Sequence, residues 1–204
     1  MKHNPYKIVE MFEEEIAHYT GAPFAVSVDN CTDALLLCCV YHGVTEVTVP
    51  KKTYLSVPQA IMAAGGKVKF EDVEWKGIYQ LAPYPIYDSA RRFTSGMYIP
   101  GTFMCLSFHP KKHLKLRKGG MILTDNEKAV SWLKKARHEG RAEIPYKEDN
   151  ITFMGWNMYM TPPDAAEGLW MMSGMPQHIP DGEEDYPDLT NNDLFNASHL
   201  HSSI

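Results

Sequence analysis

Apolar positions along the chain switch repeatedly between a helical and a strand-like spacing. Ile8, Phe12, Ile16 and Tyr19 recur at helical intervals between Pro5 and Gly21, which predicts an amphipathic helix with a proline near its start and a glycine stop. Phe24-Ala-Val-Ser-Val28 is a short apolar run of strand type, and Ala34 to Val40 is apolar nearly all round, as a buried helix is. Glu46 to Pro50 predicts a second strand, Tyr54 to Ala64 a helix halted by Gly65-Gly66, and Lys67 to Phe70 a third strand. Further strands are predicted at Pro85 to Tyr87, Thr102 to Ser107 and Gly120 to Thr124. Asp125-Asn126 then opens a charged amphipathic helix through Arg137, and residues 141–154 read as a polar connector. Thr161 to Met172 is the last predicted helix. Strands alternating with helices predict an α/β protein with a mainly parallel central sheet.

The pattern stops at Gly174. Pro, Asp, Glu and Asn dominate from there, so the expectation is one domain over 1–173 and a polar tail over 174–204 that is either an extended arm or disordered. The Met171-Met-Ser-Gly-Met175 stretch reads as packing.

Composition narrows the function classes. With 204 residues the chain suits one domain, and 44% hydrophobic with 22% charged residues is ordinary for a globular protein. The 20 Lys+Arg against 25 Asp+Glu give a net charge of −5, which argues against nucleic acid as the main partner. Cys31, Cys38, Cys39 and Cys105 form no C-x-x-C pair, as in a reduced compartment. No apolar run reaches the roughly 18 residues of a membrane span, and Met-Lys-His-Asn-Pro lacks the apolar region of a signal peptide. The expectation is a cytoplasmic protein without a membrane partner.

In an open α/β sheet, ligands bind beyond the carboxyl ends of the strands. Asp88 follows the Pro85 strand, Ser107 ends the Thr102 strand, and Asn30, Cys31 and Thr32 join the first strand to its helix. Free N–H groups and the helix dipole suit that last turn to an anion, although local sequence alone favours the plainer reading, in which Asn30 or Thr32 only caps the helix. The basic stretch from His109 to Lys118 reads in three ways: a solvated loop, a phosphate or nucleic-acid patch, or the setting of a nucleophilic lysine.

The order of these segments resembles that of the DegT/StrS-type sugar aminotransferases, which depend on pyridoxal 5'-phosphate (PLP). Phe12-Glu-Glu-Glu-Ile-Ala-His-Tyr-Thr-Gly21 is similar to the family's first helix, and Ser27-Val-Asp-Asn-Cys-Thr-Asp-Ala-Leu35 to its phosphate turn. Val49-Pro-Lys-Lys-Thr-Tyr54 resembles the segment whose aromatic residue stacks on the cofactor, and Tyr87-Asp-Ser-Ala-Arg91 resembles Glu-Asp-Ala-Ala-Gln. Ser107-Phe-His-Pro-Lys-Lys112, with Gly119-Gly120 after it, is similar to the lysine motif. Gly155-Trp-Asn-Met-Tyr-Met-Thr161 resembles Gly-Tyr-Asn-Tyr-Arg-Met-Thr.

The resemblance implies the three-layer α/β/α large domain of fold-type I PLP enzymes. It makes Lys112 the Schiff-base lysine, Asp88 the partner of the ring nitrogen, and Tyr54 the stacking aromatic. Ser107, Thr32 and the N–H of Cys31 would hold the phosphate. Asn157 would reach it from the other subunit of a homodimer. The implied reaction moves an amino group from an amino acid donor to a keto-sugar nucleotide. The family pattern is broken in places. Arg91 stands for a glutamine, Cys31 for a glycine, Lys118 for an acidic residue and Tyr159 for an arginine. The stretch between Asp72 and Pro85 is short, and the resemblance ends near Leu169, so the expectation is a shortened member without the family's C-terminal domain. The alternative expectation is therefore a family member that binds PLP or a phosphate without turnover, as a scaffold or partner subunit.

Overall fold

The computed structural model describes residues 4, 6–183 and 185–196; Pro5 and the tail beyond Asn196 lie outside the described residues. Helix α1 (Lys7–Thr20) turns Val9, Phe12, Ile16 and Tyr19 inward and ends at Gly21, whose φ of 77° is a left-handed stop that suits glycine. It is followed by β1 (Phe24–Val28), α2 (Cys31–His42), β2 (Glu46–Pro50), α3 (Ser56–Ala63) and β3 (Lys67–Glu71). Then come β4 (Tyr79–Gln80), β5 (Ile86–Asp88), β6 (Phe103–Ser107), β7 (Gly120–Thr124), α4 (Glu127–Ala136), α5 (Pro162–Met172) and α6 (Asp193–Asn196). Asn126 caps α4 by accepting the Ala129 N–H, and Thr161 caps α5 by accepting that of Asp164.

The expected sheet direction needs correction. A five-stranded sheet runs in the order β1-β7-β6-β5-β4, and of its pairings only β5 with β6 is parallel among the described residues. A separate parallel pair joins β2 and β3. Alternation of strand and helix along a sequence carries no direction for strands reached through loops, and β4 and β7 are both reached that way. Two antiparallel steps cancel, so β1, β6 and β5 still point the same way with β7 reversed between them.

The sheet carries two cores, one on each face, because β6 and β7 alternate. Phe103, Cys105 and Ile122 pack with Leu35, Leu37 and Cys38 of α2. Met104, Leu106, Met121 and Leu123 pack with Phe12 and Ile16 of α1 and Ala165 of α5. Helices thus cover both faces, in the three-layer arrangement. Met172 is buried in the second core, with Met171 and Met175 against it.

One buried ion pair fastens α1 to β1 and α4. Glu13 accepts hydrogen bonds from the Ser27 N–H at 2.9 Å and hydroxyl at 2.8 Å, and from Arg137, which also donates to the Ser27 carbonyl at 2.6 Å.

The described part of the 174–204 arm packs on this chain. Arg92 grips Asp181 at 2.8 and 2.6 Å, the Gly182 N–H donates to the Arg91 carbonyl at 2.7 Å, and the Leu189 N–H donates to the Lys51 carbonyl at 2.9 Å. Tyr186 and Leu189 are buried by this course. Among the described residues no helix is long and apolar enough to cross a membrane.

Candidate functional site

Because β1, β5 and β6 run the same way, the turns that follow them open at one edge of the sheet. A cavity of about 330 Å³ lies there. Its lining includes Cys31 and Thr32 after β1, Asp88 and Arg91 at the end of β5, and Ser107 and Lys112 after β6, with Tyr54 at the side. Seven of the eight residues expected at a site are thus brought together. Asn157 is not among them: it is exposed, and its amide donates to Glu139 Oε1 at 2.5 Å.

At the first turn the cap belongs to Asn30, whose Oδ1 accepts the Asp33 N–H at 2.9 Å. Thr32 is left facing the cavity, its hydroxyl 2.6 Å from that of Ser56. The N–H groups of Cys31 and Thr32 donate to no protein acceptor among the described residues. They sit at the positive end of α2, which favours an anion. Gly120 lets β7 pass beside this turn, since a Cβ there would come within 2.5 Å of the Asn30 carbonyl carbon and 2.8 Å of the Cys31 nitrogen. At the rim, burial and the neighbouring Asp29 push Asp33 up to about 7. Lys118 pairs with Asp29 at 2.5 Å, and Arg117 with Asp164 at 3.2 Å.

Asp88 is buried at the base of the cavity. Its Oδ2 accepts the Tyr79 hydroxyl at 2.9 Å and its Oδ1 the Ala90 N–H at 2.9 Å. Burial raises its pKa, against the lowering action of those bonds and of Lys112 and Arg91. Lys112 is half-buried in the tight turn after β6, and its N–H donates to the His109 carbonyl at 2.8 Å. Burial and then the Arg91 guanidinium lower the pKa of its amine, with Asp88 acting the other way. Cys31 is pushed in the opposite sense: burial and Asp88 hold its thiol well above the ordinary value, so it stays protonated.

The mouth is aromatic. Tyr54 lines the cavity and is 59% exposed. Tyr186 reaches in from the arm, stacks on Trp75 (6.0 Å, 14°) and meets Tyr54 edge-on at 6.2 Å. Arg91 Nε donates to the Tyr186 hydroxyl at 3.2 Å. Ser107 lines the wall and its Oγ accepts the His109 N–H at 3.4 Å. Sequence reading missed Tyr79, Thr53, Trp75 and Tyr186. Tyr79 sits on a two-residue strand and Tyr186 in an aperiodic polar tail, so no spacing marked either.

The remaining departure from pattern, Tyr159, lies apart from the cavity lining, its ring 5.1 Å from that of His138 and 6.0 Å from that of Tyr6.

Known proteins share this sequence pattern and this fold. The sequence model of the DegT/DnrJ/EryC1/StrS aminotransferase family matches residues 2–99 and 96–186. UDP-4-amino-4,6-dideoxy-N-acetyl-beta-L-altrosamine transaminase of Campylobacter jejuni is 21% identical, over 87% of this chain and 60% of its own length. Among solved structures, Helicobacter pylori PseC, an aminotransferase of pseudoaminic acid biosynthesis, superposes with a TM-score of 0.71 at 15% identity, covering 82% of this chain and 57% of its own. NtdA from Bacillus subtilis, solved with its bound cofactor PMP, gives a TM-score of 0.68 at 20% identity, over 81% of this chain and 47% of its own. These likenesses show that the chain has the fold-type I aminotransferase fold. The chain spans about three fifths of the length of the first of these relatives.

Proposed function

The chain belongs to the DegT/DnrJ/EryC1/StrS aminotransferase family, and on that premise we propose that it binds PLP in this cavity and moves an amino group from an amino acid to a keto-sugar nucleotide. The observation that carries the reading is the meeting of Lys112 and Asp88 in one cavity with the free N–H groups of α2.

The residues fit the group. A volume of about 330 Å³ is in the range of small-molecule sites. Cys31 and Thr32 offer N–H groups, and Thr32 and Ser107 offer hydroxyls, to a phosphate at the positive end of a full-length helix. The buried carboxylate of Asp88 is suited to a protonated ring nitrogen, and the exposed aromatic ring of Tyr54 to a flat ring. When bound, PLP supplies an aldehyde for amines and a ring that accepts electron density.

The chain's own residues do the rest. Lys112 is the nucleophilic amine, and its lowered pKa leaves more of it neutral and able to attack or to take up a proton. Asp88 presents a buried carboxylate to the cavity, and Lys112 and Arg91 beside it favour its charged form. Arg91 adds a fixed positive charge, kept in place by Tyr186, that favours an anionic oxygen on the ligand. We further propose a homodimer in which Asn157 of one protomer reaches the cavity of its partner, a role its exposed position leaves open to it.

Purified protein incubated with PLP is expected to absorb in the visible. Borohydride followed by peptide mass spectrometry is expected to place the cofactor on Lys112, and Lys112→Ala to abolish both signals. No absorbance in the parent protein overturns the reading. Colour that forms but that no amino acid bleaches would reduce it to binding without turnover.

A further inference from the structure

We propose that Tyr79 and Thr53 are positioning residues that act through Asp88. Thr53 donates its hydroxyl proton to Tyr79, Tyr79 donates to Asp88 Oδ2, and this directed chain keeps the carboxylate ionised and turned to the cavity. The inference rests on the reading that the cavity holds PLP with Asp88 facing its ring nitrogen.

The direction of the chain follows from counting protons. An ionised carboxylate only accepts, so the 2.9 Å contact between Tyr79 and Asp88 uses the single hydroxyl proton of Tyr79. The Thr53 hydroxyl lies 2.5 Å from the same phenol oxygen and must therefore be the donor there. Each bond polarises the next in a buried site.

The placement is built into the fold. Strand β4 pairs with β5 in a register that sets Tyr79 opposite Asp88. Thr53 follows β2, and both Tyr79 and Thr53 are buried. The Trp75 and Tyr79 rings meet at a steep angle with their centroids 4.7 Å apart, a contact that restrains the phenol's orientation. Other titratable groups face Asp88 from every side: Lys112 after β6, Arg91 after β5, Cys31 on α2, Cys105 on β6 and Tyr186 on the arm. Of these, only the cations favour the ionised carboxylate, and both share the cavity with any ligand. Tyr79 supplies a donor that a ligand does not displace.

Removing the phenol hydroxyl leaves Oδ2 without that donor, which disfavours the charged form and makes Asp88 bind its proton at higher pH. The test is the visible absorbance of PLP-loaded protein as a function of pH. In Tyr79→Phe, which keeps the ring on Trp75, the acid limb of that curve is expected to move up by about one pH unit. Thr53→Val is expected to move it less in the same direction, and Thr53→Ser, which restores the hydroxyl, not at all. Thermal melting checks that each variant is folded, and the Thr53 pair carries the test if Tyr79→Phe is not. Folded, loaded variants with the parent's pH profile overturn the relay. A parent protein that takes up no chromophore overturns instead the functional reading beneath it.

Discussion

Glu13 and Asp88 are carboxylates buried to nearly the same depth, 4% and 6% exposed, in opposite company. Glu13 is met by Arg137, by Lys134 at 3.2 Å, and by the N–H and hydroxyl of Ser27. Burial pushes its pKa up, but the two cations and the Ser27 donors more than offset this and hold it below the usual range. Asp88 has two uncharged donors, Tyr79 and Ala90, while its cations Lys112 and Arg91 line a cavity, and there burial wins. A carboxylate answered on all sides by the chain fastens elements together. One whose counter-charges stand around an open volume is ready for a ligand.

The largest expected effect is on the fastening. Glu13→Ala leaves Arg137 buried with its main counter-ion gone and cuts the link from α1 to β1 and α4, for a loss of about 3–5 kcal/mol. Urea unfolding measures it. A loss under about 1 kcal/mol would mean that Glu143, 3.2 Å from Arg137, carries the charge balance alone, and the contrast with Asp88 would disappear.

Gly120→Ala strikes the cavity side and leaves the Glu13 cluster whole. The added Cβ must displace the turn at Asn30 and Cys31, a backbone shift worth about 1–3 kcal/mol. Because the displaced atoms include the free N–H of Cys31, PLP affinity measured by titration should fall by about 10- to 150-fold, as a charge-assisted hydrogen bond is worth about 1.5–3 kcal/mol. Parent affinity in a folded variant would remove that turn from the phosphate site.

The same division explains how much could be read from sequence. Periodic helices such as α1 and α4, the apolar α2 and the apolar runs of β6 and β7 were legible because burial marks them in the sequence. Seven of the cavity residues were legible because their motifs fall in order at the ends of strands. The direction of β7 was not, since a loop can return a strand either way. Tyr79 was not, because a two-residue strand has no period, and its importance comes from the β4–β5 register that sets it against Asp88. The Glu13 cluster joins residues 124 positions apart, and charged residues on predicted surface helices carry no mark of burial.

The smallest expected effect is the one with the sharpest sign. A buried aspartate with a raised pKa binds a proton more readily in the folded protein than in the unfolded one. Its charge therefore opposes folding at neutral pH, and that opposition fades as pH falls through its folded value, which lies above the ordinary 3.8. Asp88→Asn carries no such charge. The variant should match or exceed the parent in stability at pH 7, by up to about 1 kcal/mol, and the advantage should close on acidification. For Glu13 the sign reverses. Its lowered pKa stabilises the fold fully above the ordinary 4.5, and the deficit of Glu13→Ala should persist down to that pH and shrink only below it. Urea unfolding of both variants between pH 7 and acid separates the two courses. A deficit in Asp88→Asn that follows the Glu13 curve would show that Asp88, too, is only a fastening, and Lys112 and Arg91 would then be its ion-pair partners and no longer groups held ready for a ligand.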